Sequence, residues 1–147
     1  MQSITETTIT SANAIFMLKV PGLIDQNQKI HGYSADSAWS SAAASMTETI
    51  MGVDGYQSGG FTPFETPLTI SLLANSPSQQ VFNILVRDMI AKQETRVLEW
   101  SLSLPSIKKR FAGTGFMTEG QVIPNGAKTL QSTTYDIKAV ITSIEDI

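Results

Sequence analysis

The chain has 147 residues, of which 41% are hydrophobic and 16% charged, with a net charge of −3 and no cysteine. That length suits one domain that buries a core unaided, and the missing cysteines exclude disulfide frameworks and thiolate zinc sites. The negative balance argues against a dedicated duplex-DNA binder, and a surface short of charge is one that other protein covers at small cost.

Residues 1–12 are polar and rich in Thr and Ser, with Ile4 and Ile9 as their large apolar groups, and read as an arm that needs cover to be ordered. No basic start followed by an apolar run opens the chain, and no stretch approaches the ~20 apolar residues of a membrane span, so neither signal-peptide secretion nor membrane insertion is expected. Residues 14–20 are an apolar run stopped by Pro21-Gly22, which predicts the first core strand. Residues 26–32 read as a polar turn. Across 34–45 a strand through Trp39 is favoured over a short helix through Ala42-Ala43-Ala44, and 46–51 alternates as a strand. Residues 52–67 hold four glycines and two prolines and read as an irregular loop. Tyr56, Phe61 and Phe64 sit in it, and aromatics in so long a loop need a surface to lie on.

The centre of the chain is the most informative. Thr69-Ile70-Ser71-Leu72 alternates, and Ser76-Pro77-Ser78-Gln79 then reads as a helix start with a capping box between Ser76 and Gln79. A helix over 77–93 follows, its apolar stripe made by Val81, Phe82, Leu85, Val86, Met89 and Ile90, with Asp88 and Lys92 paired on the wet side. Alternation returns over 96–104, and 107–117 reads as a further strand with a basic crest at Lys108-Lys109-Arg110. Gly113 and Gly115 read as turn glycines. The last strand, 130–144, puts Tyr135, Ile137, Ala139 and Ile141 on one face and Thr134, Asp136 and Lys138 on the other. The sum is a single mainly β (α+β) domain over 1–147: an antiparallel β-sandwich or barrel with one flanking helix.

Chemistry is sparse. His31 is the single histidine and reads as a solvated turn residue, since no nucleophile motif accompanies it. Glu145-Asp146 and Asp54 lack the spacing of a calcium loop, and neither Gly52-x-x-Gly55 nor Gly113-x-Gly115 opens a helix as a phosphate cradle must. In a strand Lys108 and Arg110 would face away from Lys109, so the basic crest is no nucleic-acid platform, and Trp39 and Trp100 read as core anchors. No catalytic, metal or cofactor site is expected, and the chain is read as a non-enzyme.

The polar arm before residues 14–20, the Gly/Pro-rich 52–67 segment, the strand-helix-strand centre with Ala74-Asn-Ser-Pro-Ser78, and the closing Tyr135-Asp-Ile-Lys-Ala-Val-Ile141 strand together resemble the tail tube proteins of tailed bacteriophages. The likeness is greatest to the small single-domain tubes of contractile tails. It implies a structural virion protein, made in the host cytoplasm, whose hexameric rings stack into a tube that passes the genome DNA during ejection. Sheath, baseplate and tail terminator proteins would be its partners. The 52–67 loop would reach the next ring through Tyr56, Phe61 and Phe64, and the terminal arms would join rings. Glu99, Ser101, Ser103, Thr134 and Asp136 are the expected lumen-facing residues, because a channel wall should be polar without being basic. Unprotected edges on the better strands would be closed by ring formation. Type VI secretion and pyocin-like tubes share the fold. Rival readings are a tail terminator or decoration protein, and a ligand-binding β-sandwich that uses the three aromatics as a stacking platform.

Overall fold

Strands with one buried face build the body of the protein, and a helix closes over it. The computed structural model describes residues 12–34 and 38–147. In chain order these form β1 (Ile15–Val20), β2 (Ile24–Lys29), β3 (Trp39–Ser41), β4 (Thr47–Met51), β5 (Gln57–Phe61), β6 (Thr66–Leu72), α1 (Gln79–Lys92), β7 (Leu98–Leu104), β8 (Lys109–Gly120) and β9 (Thr133–Asp146). The arm expected over 1–12 lies outside the described residues except for Ala12.

The main sheet is antiparallel with seven strands in the order β2-β1-β7-β8-β9-β6-β3, while β4 and β5 pair only with each other. The Ile30 amide donates to the Phe16 carbonyl on β1, and Tyr33 bridges to Leu72 on β6. That short link joins two strands four places apart in the sheet, and the inner side chains of β1, β7, β9 and β6 form a single buried cluster. The sheet is therefore curled into an almost closed barrel. Inside it lie Phe16, Leu18, Val20, Leu68, Ile70, Leu72, Leu98, Trp100, Leu102, Tyr135, Ile137 and Ala139. Helix α1 covers one end: Phe82 and Leu85 are buried, and the Phe82 ring stacks on Tyr135 at 4.2 Å. The mainly β sandwich or barrel with one flanking helix is the observed fold.

The helix start departs from the expected capping box. Its N-cap is Ser78, and no side chain caps it. The Ser76 hydroxyl donates to the His31 carbonyl and accepts from the Ser78 amide, while the Ser78 hydroxyl accepts from the His31 amide at 2.7 Å. The Gln79 amide group turns to Leu73, Thr133 and Tyr135 instead of back to Ser76. Buried tertiary partners displaced the local ones, and they tie the helix to β9 and to the segment after β2. Gly32 is required there: its φ is +71°, and a Cβ would lie 2.6 Å from the Ser76 hydroxyl oxygen.

Other expectations change for related reasons. Residues 26–32 are not a turn: β2 occupies Ile24–Lys29 as an edge strand, polar because one side meets water. The better strands turn out to be internal, and the sheet's edges are polar β2 and the three-residue β3. Lys108 leaves strand geometry altogether, with φ +56° in the turn between β7 and β8. Gly113 and Gly115 lie mid-strand, where a Cβ would meet the carbonyl oxygens of Val140 and Lys138 at 1.9 and 2.7 Å. Asp88 is not on the wet side: its side chain is 8% exposed, held by Arg96 Nε at 2.5 Å and Lys92 Nζ at 3.2 Å. The Arg96 hydrogen bond, more than Lys92, holds its carboxyl below the usual range.

Candidate assembly surfaces

Register puts the expected lumen residues on one face. Glu99, Ser101 and Ser103 alternate with buried Leu98, Trp100 and Leu102 on β7, and they pair with Lys19, Met17 and Ile15 on β1 and Thr114, Ala112 and Arg110 on β8. Thr134 and Asp136 alternate with buried Thr133, Tyr135 and Ile137 on β9. All five point away from the core, β8 lying between the two groups. Thr134 and Glu99 are exposed, and Ser101, Ser103 and Asp136 are half-buried.

Its electrostatics could not be read from single strands. Lys19, Lys29, Arg110 and Lys138 share the outer face with Glu99, Glu119, Asp136 and Glu145. Lys19 stands 3.8 Å from Glu99, Arg110 donates to the Ser103 hydroxyl at 3.2 Å and approaches Glu145 at 4.0 Å, and the Thr69 hydroxyl donates to Asp136 at 2.8 Å. The face is hydrated and balanced in sign. It would neither hold nor strongly repel a polyanion.

The three aromatics occupy a second surface. The segment expected as an irregular loop over 52–67 instead holds β5, which returns along β4 as a ribbon with register Thr47↔Phe61 to Met51↔Gln57. Gly52 and Gly55 make the turn, Gly55 at φ +89°. Every residue of β4 and β5 is exposed. Tyr56 and Phe61 are 78% and 73% exposed, beside exposed Ile50, Met51 and Val53. Phe64 differs: it is half-buried, meets Phe61 edge-on at 6.2 Å, and lines a shallow hollow with Val140 and Ile141 at the ribbon's root.

A third apolar area flanks the helix, where Val86, Met89 and exposed Ile90 border Met117 and Val122. The Tyr33 hydroxyl is buried without a partner among the described residues, and burial pushes it up to about 12. Among the described residues no group of three or more His, Asp or Glu converges to hold a metal ion, and no helix is long and apolar enough to cross a membrane.

These features, a curled antiparallel sheet with one helix and a projecting ribbon, extend over nearly all of the segment matched by the family model of tail fiber protein gp32, residues 7–140. The chain belongs to that family. No curated protein matches it. Among solved structures, a chain of an extracellular contractile injection system, the PVC sheath–tube complex in its extended state, superposes with a TM-score of 0.62 at 14% identity, covering 100% of both chains. A chain of the anti-feeding prophage (AFP) baseplate gives 0.61 at 10% identity over 96% of each. At those identities the likeness is one of fold. The gp32-family chain is a structural protein of the phage-tail type.

Proposed function

We propose that the gp32-family chain is a tail tube subunit, forming hexameric rings that stack into the tube through which the genome leaves the virion. The β4–β5 ribbon carries this reading. A two-stranded hairpin is marginal in water unless something packs on it, and this one offers Ile50, Met51, Val53, Tyr56 and Phe61 largely uncovered by the described residues of its own domain. A neighbouring subunit would supply that cover. The sign-balanced outer face would line the channel, with Glu99, Ser101, Ser103, Thr134 and Asp136 hydrating the wall. Full-length fold likeness to a chain of a sheath–tube complex supports the same assignment, and sheath, baseplate and terminator proteins are the partners that follow from it.

A baseplate or fibre-associated ring is the second reading, favoured by the family's description and by the baseplate neighbour. Negative-stain microscopy and ultracentrifugation of the purified protein separate the two. Tubes with a central hole support the tube subunit; discrete rings that never stack support the baseplate part. A monomer at every concentration, with no tubes in lysate, refutes both.

A further inference from the structure

The end of the barrel that α1 does not cover is open and apolar. Trp39 and Ser41 on β3, Thr66 and Leu68 on β6, Trp100, Leu102 and Leu104 on β7, with Phe111 and Ile141, line a hollow of about 210 Å³ to which the helix contributes nothing. A hollow lined by Leu, Ile and aromatic groups is poorly hydrated, and one of ~150 Å³ already admits a benzene ring. Of the residues that line it, Trp39, Leu104, Phe111 and Ile141 are only partly covered by the described residues.

The same chain carries a matching plug. At the ribbon tip Val53 is fully exposed and Tyr56 about three-quarters exposed. The ribbon cannot fill its own hollow. Its root adjoins the opening, where Phe61, Pro63 and Phe64 lie beside Ile141, and its ladder is unbroken from Thr47↔Phe61 to Met51↔Gln57. Five residues of strand place the tip ~17 Å from that root, and an intact ladder does not double back. Charge agrees with an intermolecular contact. Residues 46–62 carry Glu48 and Asp54 and no Lys or Arg, while the turn between the lining residues Leu104 and Phe111 carries Lys108 in addition to Lys109 and Arg110, which pair with Asp146 and Glu145.

We propose that this hollow receives the ribbon tip of a second copy of the chain, with Val53 and Tyr56 seated against Trp39, Trp100 and Phe111 and Asp54 facing the basic turn. The proposal rests on the self-assembly reading above and names the receiving surface. Plug and hollow are different patches of one molecule, so in a ring or a stack each copy gives its plug to one neighbour and receives that of another, a heterologous contact that passes from copy to copy.

The cysteine-free chain gives a clean test. In the double variant Ser41→Cys/Val53→Cys, with one thiol at the rim and one at the tip, both positions are exposed and neither supports the core. Assembly followed by mild oxidation should yield a ladder of covalent oligomers on a non-reducing gel, while either single variant stops at a dimer. Assembly of the wild-type chain should also shift the emission of half-exposed Trp39 to the blue, a shift absent from Trp39→Phe. Tubes or rings by microscopy with no ladder and no shift would overturn the docking proposal and leave the self-assembly reading standing. Absence of assembly together with absence of a ladder would overturn both.

Discussion

Replacing Tyr56 and Phe61 with Ser, while leaving Phe64 in place, separates what the ribbon does for its own domain from what it does for a neighbour. In the lone subunit the two rings are 78% and 73% exposed, so only about a quarter of each is withdrawn from water. Full burial of a large apolar side chain is worth ~1.5–3 kcal/mol, which makes the intramolecular loss ~0.4–0.7 kcal/mol per ring. The edge contact of Phe61 with Phe64 adds ~0.5–1.5 kcal/mol. The isolated variant should thus lose ~1–3 kcal/mol, a drop of several degrees in melting temperature at ~2–4 °C per kcal/mol. In an assembly the remaining three quarters of each ring would be buried, ~2–4 kcal/mol per contact, and each tenfold in affinity takes ~1.4 kcal/mol. The critical concentration for tube or ring formation should rise at least tenfold, measured by sedimentation alongside a thermal melt. Assembly at the wild-type concentration, or a subunit that no longer folds, would refute the reasoning.

Gly113→Ala places a Cβ 1.9 Å from the Val140 carbonyl oxygen, and parting β8 from β9 should cost ~1–3 kcal/mol or more in urea unfolding, whereas Gly60→Ala, with nothing within 4 Å, should be near neutral. Glu99→Lys with Asp136→Lys turns the balanced outer face basic; particles carrying it should assemble yet release DNA slowly at low salt, and normal release at every ionic strength would remove that face from the channel wall. The lowered Asp88 carboxyl contributes stability that is complete above the unfolded carboxylate value of ~3.9 and is lost as pH falls from there through its depressed native value. Asp88→Asn should therefore flatten the acid limb of the stability–pH curve below about pH 4, and an unchanged limb would place the acid sensitivity elsewhere.

Most of what could be read from the sequence followed one physical variable, whether a segment has a buried face; β4, exposed throughout but alternating, is the exception. β1, β7 and β9 each alternate against the core, and their expected positions differ from those observed by a few residues at the ends. The stripe of α1 was legible for the same reason, through Phe82 and Leu85. The helix cap was not, because Ser76 and Gln79 have local partners in the sequence but tertiary ones in the fold, and nothing in a linear pattern says that His31, Thr133 and Tyr135 will be adjacent. Gly113 has no local signature either: its need for glycine comes from a carbonyl on another strand.

The two strands that escaped notice, β2 and β5, fail the test of a buried face in the same way. β2 is mostly polar, and β5 is Gln-Ser-Gly-Gly-Phe, exposed throughout. β4 is equally exposed yet alternates and is legible as a strand, whereas its partner β5 carries no alternation to read. The ribbon's apolar groups cluster instead at its tip and root, Val53 and Tyr56 at one end and Phe61 and Phe64 at the other. That placement suits a finger gripped at both ends better than a strand laid on a core. A body whose internal strands are specified by a buried face, joined to a ribbon whose large aromatic groups sit near its two ends, is what a chain needs if each copy is to finish folding against the next.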